Sequence, residues 1–293
     1  MPVSFIKTSA LAVCLSLLGM FASAQVKVAE PPNLSRDWSR PYQPFKIVGN
    51  LYYVGTYDLA CYLIVTPAGS ILINTGLAAS TAMLKANIEA LGFKMSDIKI
   101  LLTTQAHYDH VGAMAEIKQL SGAKMMVDEA DAAVCLDGGT SDYAYGTAIP
   151  TFASFKPDKL LHDGDVIKLG GSELTLLHHP GHTKGSSSFV MNVKDDTRTY
   201  KVLIVNMPTI VVDQSFDKVT AYPNIAADYA YTLASMKKQT FDIWLSSHAN
   251  QFNMNRKHKP GDAYNPAAFI DQKGYEAAVE NFDKLYQQKL KQQ

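Results

Sequence analysis

The sequence predicts an α/β fold in which two β-sheets pack face to face, with helices outside, in a single domain. Three observations carry this. Strand-length apolar runs and helix-period segments occur in both halves of the chain, the pattern of sheets covered by helices. No stretch rich in Gly and Pro separates the halves, and no fixed-period repeat is present. Three of the strand-like runs also stop at histidines, as strands do when they deliver side chains to one sheet rim.

The 293 residues are 47% hydrophobic and 18% charged, enough for one large core or two modest ones. Twenty-seven basic residues balance 27 acidic ones, with no long run of either sign. That balance speaks against a nucleic-acid binder and gives no reason to expect a membrane surface.

Residues 1–24 read as an export signal: Lys7, then the apolar run Ala10–Phe21, then Ala22-Ser-Ala24 before Gln25. The run is too short to span a bilayer, and Val13 sits where a lipoprotein signal at Cys14 would need a small residue. The mature domain is therefore residues 25–293, expected in the periplasm. Export permits disulfides. Cys61 and Cys135 either pair or remain as buried free thiols. Neither lies beside a His-rich stretch, so neither counts as a metal ligand.

In order, residues 25–43 form a polar, Pro-dotted arm that Trp38 and Tyr42 can pin to the body. Phe45–Gly49, Asn50–Gly55, Cys61–Val65 and Ser70–Asn74 alternate as hairpin strands, with a Pro67–Gly69 turn before the last. A helix is expected near Ala79–Leu91, stopping at Gly92, and another over Ala113–Leu120, stopping at Gly122. Lys124–Val127 is a short strand. Residues 138–154 show no periodicity and form either a flap beside the site or a plain surface connection. Strands follow at Val166–Leu169, Glu173–His178, Ser187–Val193 and Tyr200–Val205, then a helix over Ala227–Lys238. Phe241–His248 reads as a buried strand, Asn250–Pro266 as a polar loop, and Ala267–Leu290 as a terminal helix.

The chemistry centres on Leu101-Leu-Thr-Thr-Gln-Ala-His-Tyr-Asp-His-Val-Gly-Ala113. Four metal-ligand types (Gln105, His107, Asp109 and His110) fall within six residues after a strand. Such clusters mark metal sites. In an extended segment Gln105, His107 and Asp109 share a face. His110 joins them only if the chain turns, which Gly112 and the following helix allow. Two further strands end in His182, within Pro180-Gly-His-Thr183, and in His248. His178 and His179 read as structural, one turned to the core and the other to the surface. His162 and His258 read as surface residues.

These motifs, with Asn50-Leu-Tyr-Tyr-Val-Gly-Thr-Tyr-Asp-Leu-Ala60 and His178-His-Pro-Gly-His-Thr-Lys-Gly185, resemble the metallo-β-lactamase superfamily. The likeness is greatest to the third subclass of class B β-lactamases, in its glutamine-variant (GOB-like) branch. It is clearest over residues 45–250. The resemblance implies a four-layer αβ/βα sandwich and up to two Zn2+ per chain. Gln105, His107 and His182 would hold the first, and Asp109, His110 and His248 the second. The family usually has His where Gln105 stands. A neutral amide oxygen is a poorer donor than imidazole, so the first site is expected to bind zinc more weakly than the second.

The resemblance further implies hydrolysis of penicillins, cephalosporins and carbapenems by a metal-bound hydroxide, with Asp109 both binding metal and orienting the water. Ser186 and Ser188 are candidate donors to the substrate carboxylate, or else simple turn residues. Thioesterases of the superfamily carry a bridging Asp after the strand ending here at Val205, and the first β-lactamase subclass has a Cys nearby. This chain has Val205-Asn206-Met207, which favours the third subclass and leaves Met207 to packing. The expected partner is a small β-lactam, with no nucleic acid or membrane involved, acting on a monomer. The rival readings are an exported hydrolase of another ester, lactone or thioester, and a periplasmic metal-binding protein without turnover.

Overall fold

The computed structural model describes Met1 and residues 28–292. Apart from Met1, the expected export signal and its cleavage site lie outside the described residues.

The first half builds a seven-stranded sheet in sequential order: β1 (Phe45–Val48), β2 (Leu51–Tyr53), β3 (Tyr62–Thr66), β4 (Gly69–Ile73), β5 (Ile98–Leu102), β6 (Lys124–Asp128) and β7 (Lys159–Leu161). It is antiparallel from β1 to β4 and parallel from β4 to β7. The second half builds a five-stranded sheet. Here β8 (Val166–Leu169), β9 (Ser172–His178), β10 (Ser187–Lys194) and β11 (Thr199–Val205) form an antiparallel meander. β12 (Ile243–Ser246) adds parallel to β11. The helices are α1 (Thr81–Ala90), α2 (Tyr108–Val111), α3 (Met114–Ser121), α4 (Ala132–Asp137), α5 (Ile225–Met236), α6 (Met254–Lys257) and α7 (Gln272–Leu290).

The period-two alternation of strands explains the layering. On β3, Tyr62 and Ile64 join a core shared with Leu174, Phe189 and Met191 of the other sheet, while Cys61, just before β3, and Leu63 face the opposite way. That opposite face is covered by Leu84 and Ile88 of α1 and Met114 and Ile117 of α3. Tyr229 and Leu233 of α5 and Tyr275 and Val279 of α7 complete the outer layer over the five-stranded sheet. Each such fully buried aliphatic or aromatic side chain contributes roughly 1.5–3 kcal/mol of transfer free energy. Two sheets with helices outside is the architecture the sequence predicts.

The strands run so that β5, β9 and β12 all end at one rim. Backbone hydrogen bonds lock the two sheets there: Ser187 N–H donates to Thr104 O at 2.8 Å and Ala60 N–H to Ser247 O at 3.0 Å. An isolated bridge pairs Leu59 with His248. The arm is pinned as expected, with the Trp38 indole donating to Asp58 and the Tyr42 hydroxyl to His258 O.

Several details differ from the sequence reading. β12 ends at Ser246, so His248 lies just past the strand. The terminal helix begins only at Gln272, where Asp271 caps it through Gly274 N–H, and residues 266–269 form a separate turn of 3-10 helix. The segment 250–266 contains α6, and α4 was not anticipated. His258 is a correction. It is buried, stacked on Phe45 at a ring separation of 3.5 Å, because the aromatic cluster of the arm provides a shelf for it. Cys61 and Cys135 are both buried free thiols.

Candidate metal centre

The ligand loop does not stay extended. His107 has extended backbone (φ −96°, ψ 155°) and precedes the helical turn α2, which carries Asp109 and His110. The turn brings His110 to the same side as Asp109, which alternation alone would not have done. Gly112 is helical, with φ −54°, so it supplies no left-handed turn. Its role is close approach, since a Cβ there would lie 2.4 Å from Ala78 N.

Two groups of donors meet at the rim. In the first, His107 Nδ1 lies 3.1 Å from His182 Nε2. The outer nitrogens are engaged: His107 Nε2 is 3.2 Å from Asp142 Oδ2, and His182 Nδ1 is 2.7 Å from Thr209 O. Gln105 is buried, lines the same cavity, and its Oε1 has no hydrogen-bond partner. In the second group, one ligand atom each from Asp109, His110 and His248 lie within 4.8 Å of one another. Asp109 Oδ2 is 3.3 Å from His110 Nε2 and 3.4 Å from His248 Nε2. The contact to His110 has ion-pair distance without hydrogen-bond direction, and both His110 nitrogens lack a hydrogen-bond partner. His248 Nδ1 is turned to Asp58 Oδ2 at 3.3 Å.

This arrangement fits zinc. A buried amide oxygen left unpaired costs about 1–3 kcal/mol, and here it belongs to a residue that lines the same cavity as two imidazoles whose outer nitrogens are already occupied. Carboxylates or carbonyls on the far nitrogen are what orient a histidine toward a metal. Imidazole nitrogen and carboxyl oxygen are zinc donors.

The electrostatics of Asp109 and His182 agree, while His248 must give up a proton to bind a metal. For Asp109, burial pushes the carboxyl up, but His110 and His248 outweigh it and hold it well below its ordinary range. Burial, with His107 beside it, drives His182 down to about 3, so it presents a neutral lone pair. Burial also lowers His248, but Asp109 and Asp58 more than reverse this and carry it to about 9.

The cavity above these groups has a volume of about 370 Å³. Trp38, Tyr108, Tyr145, Val211 and Phe282 supply its apolar walls, and Thr209, Asn250 and Gln251 supply neutral polar groups. Among the described residues, no Lys or Arg lines it.

The structure does not support Ser186 and Ser188 as substrate contacts. Both are fully buried and neither lines the cavity. Ser186 Oγ accepts from Thr183 N–H at 2.8 Å, and Ser188 Oγ pairs with His179 Nδ1 at 2.7 Å. Ser186 belongs to the turn, and Ser188, on β10, holds His179 in place. Met207 is buried in the core, and His179 is the inward member of its pair.

Sequence reasoning missed the carboxylates behind the ligands. Asp58 and Asp142 orient His248 and His107. Asp131, buried, accepts from Ala106 N–H, Thr183 Oγ1–H and Gly185 N–H, stitching the two ligand loops together. Only their positions in loops next to ligand strands could have hinted at them.

Comparison with known proteins now decides the kinship. The metallo-beta-lactamase superfamily matches residues 56–196. The class B3 di-zinc metallo-beta-lactamase LRA-12, from an Alaskan soil metagenome, is 60% identical, with a TM-score of 0.89 over 90% of this chain and 100% of that one. This chain belongs to the metallo-β-lactamase superfamily. Within it, the metallo-beta-lactamase GOB-18 of Elizabethkingia meningoseptica is 56% identical, with a TM-score of 0.91 over 92% of this chain and 100% of that one. The metallo-β-lactamase fold and the class B3 kinship, including the GOB type, are thus as the motifs implied. A curated relative, hydroxyacylglutathione hydrolase GloC of Haemophilus influenzae, is 34% identical over 109 residues, covering 36% of this chain. The chain spans about half the length of that relative.

Proposed function

We propose that the protein hydrolyses the β-lactam ring of penicillins, cephalosporins and carbapenems with zinc, and so confers resistance to them. The observation that carries this reading is the gathering of two adjacent donor groups, His107 with His182 beside Gln105, and Asp109 with His110 and His248, at a cavity that all of them but the fully buried His110 line. The 60% and 56% identities to class B3 and GOB-type β-lactamases support it.

Zinc, when bound, supplies Lewis acidity that activates water and polarises the lactam carbonyl. The chain's own residues do the rest. Gln105, His107 and His182 would hold the first ion, and Asp109, His110 and His248 the second. Asp109, kept ionised, is the acceptor that orients the attacking water. Asp58 and Asp142 hold protons on the outer nitrogens of His248 and His107, so the lone pairs point inward. Trp38 and Tyr145 wall off part of the cavity from solvent. The protein acts as a monomer in the periplasm, after removal of residues 1–24. No described helix is long and apolar enough to cross a membrane.

A thioester reading draws on the hydroxyacylglutathione hydrolase likeness. Against it stand Asn206 and Met207, which are buried at the position after β11 where the resemblance places an Asp in those enzymes. The test is hydrolysis of a carbapenem, a cephalosporin, a penicillin and a glutathione thioester by purified protein, with and without added zinc. Ring opening that depends on zinc supports the proposal. Thioester turnover without ring opening replaces it.

A further inference from the structure

We propose that the turn Asp142–Tyr145 is a brace that sets the first metal site, with Asp142 positioning His107 and Tyr143 positioning His182. This deepens the reading above and rests on Gln105, His107 and His182 sharing one zinc.

The segment 138–154 lacks regular secondary structure but is closely tied down. Gly139 N–H donates to Val134 O at 2.9 Å, Gly146 N–H to Asp142 O at 3.0 Å, and Thr151 N–H to Gly138 O at 2.9 Å. Within this frame, Asp142 Oδ1 accepts from Ala144 N–H at 2.9 Å and Tyr145 N–H at 2.7 Å. Its own turn thus fixes the carboxylate, leaving Oδ2 for His107 Nε2 at 3.2 Å. A proton held on Nε2 leaves the Nδ1 lone pair for the metal.

The next residue reaches the backbone that carries the other imidazole. The Tyr143 hydroxyl lies 3.0 Å from Gly181 O and 2.9 Å from His182 O, while its ring packs edge-on to Tyr222 at 5.0 Å. Two residues later, the Tyr145 ring sits edge-on to His107 at 4.9 Å. A single four-residue turn therefore supports both histidines that share a site with the weak ligand Gln105. His248, in the second site, is oriented from elsewhere by Asp58, itself held by Trp38. The two sites are supported by separate parts of the chain, so the Gln105 site can be loosened alone. A site with only two imidazoles has the more to lose when their geometry relaxes.

The test uses the full mature protein and zinc alone, titrated against a chromophoric chelator that resolves two binding steps. Gln105→Ala marks the step belonging to the first site. Asp142→Asn keeps a hydrogen-bond acceptor at His107 and removes the charge; Tyr143→Phe keeps the ring and removes the hydroxyl. Each is expected to weaken the step marked by Gln105→Ala, by about 10–100-fold for Asp142→Asn, in the range seen when such outer partners are changed. The other step and the melting temperature of the metal-free protein stay as in the parent. Equal weakening of both steps, or no change in either, overturns the proposal. If Asp142→Asn does not fold, Tyr143→Phe decides alone. Because no β-lactam enters the assay, a failure of β-lactam hydrolysis would sink the functional reading and leave this result standing.

Discussion

His107 Nδ1 and His182 Nε2 face each other across 3.1 Å, with the unpaired amide oxygen of Gln105 lining the same cavity. Two imidazoles and an amide make a weaker zinc site than two imidazoles and a carboxylate. Chelator titration is therefore expected to strip the Gln105 site before the Asp109 site. Gln105→His should tighten the first step by about tenfold or more. Release in the opposite order would refute this.

Asp109 contacts both His110 and His248 at ion-pair distance. Asp109→Ala is expected to lower kcat by more than about 100-fold and to remove one zinc equivalent, since it takes away both a ligand and the water's acceptor. Zinc content by elemental analysis, with turnover on a cephalosporin, checks this. Loss of zinc without loss of turnover would remove Asp109 from the mechanism.

Trp38 walls the cavity, its ring tilted against that of His248 at 5.6 Å. Trp38→Ala should raise KM about tenfold, the equivalent of about 1.4 kcal/mol of lost apolar contact. Trp38→Phe, which keeps a ring, should recover most of it. Steady-state kinetics on a carbapenem separates the two outcomes.

His179 is buried between Ser188 and Ser235, and burial, with His178 opposing its charge too, holds it at about 4. An unfolded histidine titrates near 6.5. Between those values the unfolded chain binds the extra proton, so stability falls as pH drops from about 6.5 to about 4, by about 3 kcal/mol in total. His179→Gln removes the titration and should flatten that part of the melting-temperature profile relative to the parent. Parallel profiles would contradict the assignment.

Gly181 has φ +125°, and a Cβ there would lie 2.9 Å from the Tyr229 ring. Gly181→Ala should cost about 1–3 kcal/mol in denaturant unfolding and displace His182. A variant as stable as the parent would show that this turn is not constrained.

The parts of the structure legible in the sequence are those written in periodicity. Alternation on β3 and β4 announced two-faced strands, and the histidines ended apolar runs at what became one rim. The six candidate ligands stood out because His, Asp and Gln at the ends of such runs are unusual. The carboxylates behind them did not, because Asp58 and Asp142 in loops and Asp131 in a 3-10 turn lie away from the histidine motifs and gain meaning only from a neighbour 25 to 190 residues away. The same blindness misassigned Ser186 and Ser188. A Ser-rich turn does not reveal which side faces inward, and hydrogen bonds to Thr183 and His179 turn these two away from the cavity. His258 was misplaced because its aromatic shelf is Phe45, on the first strand.

That no lysine or arginine among the described residues lines the cavity has a practical corollary for inhibitor chemistry. An anionic drug entering it finds no lysine or arginine among those residues to grip, so its acid group is left to bound zinc, to the histidines and to the neutral groups of Thr209, Asn250 and Gln251. Compounds optimised around a guanidinium or ammonium anchor in some other enzyme would lose that anchor here. Metal-chelating warheads joined to flat apolar groups that pack on Trp38 and Tyr145 would keep their grip, and added salt would scarcely weaken the apolar part of it.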